Sequence, residues 1–194
     1  MRSAIQILRR GGVIAAPTET LIGLLADAHS KAAVEAVLAI KRRSGEETLG
    51  LIAPDLESVA SLVGPLEGKA RELAERHWPG PLTLVLDAKP GLHPALIRDG
   101  AVAIRIPAAS PALDLCRAFG GPLTATSANL RGGPSVASTE ALDPAILQAV
   151  DGILEGKSPG GAPSTIARVR GDRIEVLREG AIAAEALTSG SSPR

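Results

Sequence analysis

Most of the side chains in this sequence that could do chemistry sit in four short polar segments, each beside an apolar run. They are Pro17-Thr18-Glu19-Thr20, Lys41-Arg42-Arg43, Thr126-Ser127-Ala128-Asn129 and Pro163-Ser164-Thr165. Two isolated cations join them: Arg105, the one charge inside AVAIRIP, and Arg178, at the end of RIEVLR. Together these groups supply what an anionic nucleotide and an amino acid require. Guanidinium and ammonium groups meet phosphate and carboxylate, and hydroxyl and amide groups fix orientation. Taken singly, each segment has a local explanation. PTET reads as a capped turn, KRR as a helix C-terminus favoured by the macrodipole, TSAN as a helix N-cap and PST as a strand start. The chemistry follows only if the fold brings them to one place.

Other patterns fail on physical grounds. In Gly152-Ile-Leu-Glu-Gly156-Lys157-Ser158 three residues separate the glycines, where a phosphate-wrapping loop needs four. Gly156-Lys-Ser158-Pro159-Gly160 matches a nucleophile-elbow pattern, but proline has no N–H to donate to an oxyanion. His29, His77 and His93 lack metal-ligand spacing, so no metal site is expected. Lys plus Arg and Asp plus Glu are both 21, which argues against a phosphate-blanketing protein and leaves room for a local basic cleft. With no Tyr and only Phe119 and Trp78, rows of base-stacking aromatics are excluded. The lone Cys116 reads as a buried free thiol in a reducing compartment. Residues 1–30 lack the apolar core of a secretory signal, and no stretch approaches membrane-spanning length. A soluble cytoplasmic protein with no membrane partner is expected.

The elements that must position these groups follow from periodicity and punctuation. Residues 3–10 show a helical pattern ended by Gly11-Gly12, and GVIAA then reads as a strand with PTET at its end. Ser30 is a plausible N-cap for a helix that delivers Lys41, Arg42 and Arg43 at its C-terminus. Strands are expected at 49–53, in PGPLTLVLDA, at 101–107, in PLTAT and in GILE, and helices after Asp55, over 65–77, over 110–119 and around 139–150. TIARV and RIEVLR form a hairpin about Gly171-Asp172. Irregular alternation with a late hairpin implies an α/β fold with an open, twisted, mixed sheet flanked by helices. Residues 183–194 read as a flexible tail after one domain over 1–182.

The set PTET…GLLADA, IKRR, PGPLTLVL, VAIRIP, PLTATSAN, PSTI and VLREGAI, in this order over residues 3–182, resembles the YrdC-like family of threonylcarbamoyl-AMP synthases. The resemblance implies a concave, cationic cavity in the sheet. It also implies the reaction: threonine, bicarbonate and ATP, with Mg²⁺ on the triphosphate, give threonylcarbamoyl-AMP and pyrophosphate for adenosine modification in tRNA. Carried over by motif, Lys41 and Arg43 match K-x-R and would hold the ATP phosphates by electrostatics. Ser127 and Asn129 match S-x-N on the nucleotide side, and Arg178 matches the arginine near the nucleotide. Thr18, Arg105 and Ser164 match the threonine pocket. Expected partners are threonine, bicarbonate, tRNA or double-stranded RNA, and the tRNA-modification proteins that use the product.

The chain departs from the family pattern at Ile22 and Leu25, and at Ile52, near where a histidine is usual; polar contacts at the pocket mouth are expected to be lost. Glu46 and Glu47 place acidic charge near Lys41 and Arg43. Two readings stand: a synthase with a divergent pocket, or a catalytically inactive paralogue that binds nucleotide, double-stranded RNA or tRNA.

Overall fold

A computed structural model describes residues 1–41, 48–130 and 132–188. The first half of the chain forms α1 (Arg2–Arg9), β1 (Ile14–Pro17), β2 (Ile22–Leu25), α2 (Lys31–Lys41), β3 (Leu51–Ile52), α3 (Leu56–Val63), α4 (Gly68–His77) and β4 (Leu82–Asp87). Next come β5 (Ile97–Arg98), β6 (Ala101–Arg105), α5 (Pro111–Phe119), β7 (Leu123–Thr124) and β8 (Thr126–Ser127). The last elements are α6 (Pro144–Ala149), β9 (Gly152–Ile153), β10 (Thr165–Arg170), β11 (Arg173–Arg178) and α7 (Ala184–Thr188).

Helix boundaries follow the capping residues. The Asp55 carboxylate accepts the Ser58 N–H at 2.8 Å, and the Ser30 and Ser110 hydroxyls accept those of Ala33 and Leu113, each at 3.3 Å. Each satisfies a donor that the first helical turn leaves open. The helical stretch expected over 139–150 is instead a 3-10 turn, Thr139–Ala141, followed by α6. Pro144 explains the break, because its ring excludes a helical conformation for Asp143, whose carboxylate caps α6 through the Ala145 N–H.

The mixed sheet is divided in two. The smaller has the order β8-β2-β1-β9, and the larger β11-β10-β4-β6-β3-β7, with β5 added on β6. Pairs β1–β9, β3–β6 and β4–β10 are parallel and the others antiparallel. One segment, PLTAT followed by Ser127, serves both sheets. Its β7 half pairs with β3, its β8 half pairs with β2, and between them the Ala125 N–H donates to the Gly50 carbonyl at 2.8 Å. The Thr124 hydroxyl stitches the seam, accepting the Ala26 N–H at 3.0 Å and donating to the Leu24 carbonyl at 3.1 Å.

Strands β1 and β2 are buried on both faces, as their continuous apolar sequence implies. The main core spreads under both sheets, and a second cluster gathers Leu8, Ile14, Leu25, Ile52, Leu115, Cys116 and Leu123. Burial pushes the Cys116 thiol up to about 12, so it stays protonated and inert at neutral pH. Within the segment expected as a tail, α7 forms and buries Leu187. No helix among the described residues is long and apolar enough to cross a membrane.

Candidate active site

A cavity of ≈ 400 Å³ opens between the two sheets. The larger sheet supplies one wall through alternate residues: Ala101, Ala103 and Arg105 of β6, Thr83 and Val85 of β4, and Ile166 and Arg168 of β10. The opposite wall comes from Thr18, Thr20, Ile22, Gly23 and the segment Ala125–Ser127, with Gly50 at the seam. Register gives the cavity two ends. Arg105 lies opposite Ile52, and Ile52 opposite Leu123, so the antiparallel run from Leu123 carries Ser127 toward the level of Ala101 and away from Arg105.

At the first end Arg105 Nε donates to Glu19 Oε1 at 2.8 Å, with both side chains almost wholly buried. The terminal nitrogens of Arg105 have no protein partner among the described residues and remain available as a fork for a carboxylate. The second Glu19 oxygen is buried without a partner. Thr18 lines this end, but its hydroxyl is engaged in its own turn. It donates to the Leu21 carbonyl at 2.7 Å and accepts the N–H groups of Thr20 and Leu21 at 3.2 Å. The Ser164 and Thr83 hydroxyls lie 2.9 Å apart, and Arg178 donates through Nη2 to the Ser164 carbonyl at 2.7 Å. Burial, and then the charge of Arg105, lower the Arg178 pKa below its ordinary value. Two guanidinium groups that repel across a shared hollow favour an anion between them.

Two glycines permit this approach. A Cβ on Gly23 would lie 3.2 Å from the Thr18 methyl, and one on Gly180 would fall inside the Pro163 carbonyl oxygen. Thr165 locks the second contact. Its hydroxyl accepts the N–H groups of Gly180 and Ile182 and donates to the Ile182 carbonyl, so PST and LREGAI are bound as one unit.

At the second end the Lys41 ammonium, 1% exposed as a residue, donates to the Ser127 carbonyl at 2.6 Å and to Asn129 Oδ1 at 2.9 Å. Ser127 also donates to Asn129 Oδ1, and Asn129 Nδ2 donates to the Gly133 carbonyl at 2.6 Å. Lys41 therefore stands behind the wall and shapes the S-x-N turn, while Ser127 itself lines the cavity with Thr48 and Ser135.

Of the residues singled out from the sequence, Thr18, Arg105, Ser127, Ser164 and Arg178 line this one hollow. Lys41 and Asn129 meet behind it, and Arg43, Glu46 and Glu47 lie outside the described residues. The three positions that depart from the family pattern do not all reach the cavity. Ile22 does face the cavity, but Leu25 and Ile52 are fully buried in the second core cluster. The sequence reading missed Glu19, Thr83, Arg98 and Arg168. Period-two alternation was the available signal for Thr83 and Arg168, whereas Glu19 was hidden within PTET as an apparent turn residue.

Comparison with known proteins places the chain among relatives of the same fold. The Sua5/YciO/YrdC family model, described as telomere recombination, matches residues 6–180. The threonylcarbamoyl-AMP synthase of Stenotrophomonas maltophilia (strain K279a) is 42% identical over 166 residues, covering 84% of this chain and 89% of the relative. That of Bacillus subtilis (strain 168) is 36% identical over 193 residues, 98% of this chain and 56% of its own length. P. abyssi Sua5 complexed with L-threonine superposes with a TM-score of 0.88 at 30% identity, covering 97% of this chain and 56% of that one. The chain thus spans a little over half of the B. subtilis and P. abyssi proteins and most of the S. maltophilia one. On sequence and on fold alike, this chain belongs to the Sua5/YciO/YrdC family.

Proposed function

We propose that this chain forms threonylcarbamoyl-AMP from threonine, bicarbonate and ATP, releasing pyrophosphate, as a nucleotidyltransferase serving tRNA modification. The observation that carries this reading is the single hollow with Arg105 at one end and Ser127, backed by Lys41, at the other. Arg105 holds the threonine carboxylate through its free fork, and Thr18, Thr83 and Ser164 border the side chain. Ser127 and Arg43 take the phosphates, with Lys41 and Asn129 holding the Ser127 turn from behind, and Arg178 lies beside the α-phosphate.

Threonine's amine and bicarbonate combine, with loss of water, to a carbamate. One carbamate oxygen bonds to the α-phosphorus, the bond from that phosphorus to the bridging oxygen breaks, and the electron pair leaves on pyrophosphate. No protein nucleophile is required. The protein contributes by juxtaposing two anions that repel in water and by stabilising charge on the phosphoryl oxygens. Mg²⁺ would enter on the nucleotide, with phosphate oxygens as ligands; among the described residues no three His, Cys, Asp or Glu side chains gather around a metal.

Threonine- and bicarbonate-dependent pyrophosphate release from ATP tests the reading. Release that stops when either small substrate is omitted supports it. Salt-sensitive binding of double-stranded RNA or tRNA with no turnover would replace it with the binding-module alternative.

A further inference from the structure

The proposed reaction leaves two cavity-lining arginines without a task, Arg98 and Arg168. Both lie on the larger sheet, away from Arg105. Arg98 of β5 is registered against Ala101, at the end of β6 farthest from Arg105, and Arg168 of β10 is registered against Val85, itself opposite Ala103. Strands β5, β6, β4 and β10 are adjacent in this order, so the two backbones stand about 14 Å apart, three strand spacings. Between them the wall is floored by Ala101, Ala103 and Val85, side chains too short to fill the space. Two arginine side chains reaching inward across such a floor can meet on a group the size of a diphosphate.

Neither cation is neutralised in place. Arg98 is exposed and has no partner among the described residues. Arg168 Nε is buried with no hydrogen-bond acceptor, and its Nη2 reaches only Asp99 Oδ2, at 3.7 Å. Asp99 is 67% exposed at the turn beside Arg98, so water screens its attraction. No Asp or Glu occurs among the described residues that line the cavity.

We propose that Arg98 and Arg168 form a diphosphate subsite, taking the β- and γ-phosphates of the bound nucleotide and holding pyrophosphate as it leaves. This rests on the proposed synthase reaction for its role, though not for the binding itself. As the α-phosphorus to bridging-oxygen bond breaks, negative charge grows on the departing diphosphate, which these two guanidinium groups face. A charge-assisted bond to each gives these two cations a role distinct from that of Arg105, which is paired with Glu19 at the other end of the same wall.

The test is calorimetric titration of inorganic pyrophosphate, with AMP and threonine titrated in parallel, into wild type, Arg98→Ala, Arg168→Ala, Arg168→Lys and Asp99→Asn. Arg168→Ala should weaken pyrophosphate binding at least about 10-fold and the more exposed Arg98→Ala about 3- to 10-fold. Arg168→Lys should fall between wild type and Arg168→Ala, and threonine and AMP affinities should move less than about 3-fold. Asp99→Asn should tighten pyrophosphate binding about 2- to 3-fold by releasing Arg168, a gain that misfolding cannot mimic; its left-handed φ of 51° suits asparagine. The subsite is overturned if wild type does not bind millimolar pyrophosphate, if folded Arg98→Ala and Arg168→Ala bind it as wild type does, or if AMP and pyrophosphate weaken equally. Pyrophosphate binding through both arginines without threonine-dependent turnover would remove the reaction and keep the subsite. Turnover with unchanged pyrophosphate affinity in the variants would do the reverse.

Discussion

The two ends of the cavity hold their cations in different ways. Arg105 is fixed by a buried carboxylate, which cancels much of its charge and aims what remains through a fork of two terminal nitrogens. At the other end Lys41 is fixed through a backbone carbonyl and an amide oxygen, and Arg98 and Arg168 stand with little or no compensation. A half-neutralised, oriented guanidinium suits one carboxylate of defined geometry. Cations as weakly compensated as Arg98 and Arg168 suit a polyanion whose charge is large and whose shape changes as the reaction proceeds. The difference separates recognition of an amino acid from retention of phosphates within one continuous hollow.

The largest expected effect comes from breaking the buried pair. Arg105→Ala leaves Glu19 charged and alone, which should cost about 3–5 kcal/mol in denaturant melts and weaken threonine binding by about 100-fold or more. Replacing both, as Arg105→Met with Glu19→Leu, should restore most of the stability and none of the binding. Threonine binding that survives in the double variant would erase the distinction between the ends.

Lys41→Met addresses the opposite end. It removes the ammonium that fixes the Ser127 carbonyl and the Asn129 amide oxygen, and the KM for ATP should rise about 10- to 100-fold while threonine affinity changes only a few-fold. Equal losses for both substrates in steady-state kinetics would show that the ends do not act separately. Thr83→Val removes the hydroxyl that meets Ser164; calorimetry should show threonine affinity lower by about 5-fold, a cost of about 1 kcal/mol, and ATP unaffected. Gly23→Ala should do least, raising the KM for threonine about 2-fold as the new methyl presses on Thr18.

Much of the fold was legible because its signals are local. Caps at Ser30, Asp55 and Ser110, the alternation of TIARV, and the Gly171-Asp172 turn each fix an element from within a few residues. The division into two sheets was not legible. PLTAT reads as one strand, and only its exchange of partners from β3 to β2 shows that it serves both. The site divides similarly. Arg105 announced itself as a charge inside an apolar run, whereas Glu19, its partner 86 positions away, looked like a turn residue. Leu25 and Ile52 lie two positions beyond the lining residues Gly23 and Gly50, and linear order does not say how far along a strand the hollow reaches.

By itself the sequence determined the chemical inventory: which cations and hydroxyls exist, which segments carry them and which element each segment forms. Caps, turns and periodicity act over a few residues, so they are written locally. The tertiary structure decided partnership: that Glu19 neutralises Arg105, that Lys41 works from behind Ser127, and that Arg98 and Arg168 face the same space. Those relations depend on strand register and on the seam where two sheets meet. Register is set by long-range pairing and burial, and a shift of one residue would turn every side chain to the other face.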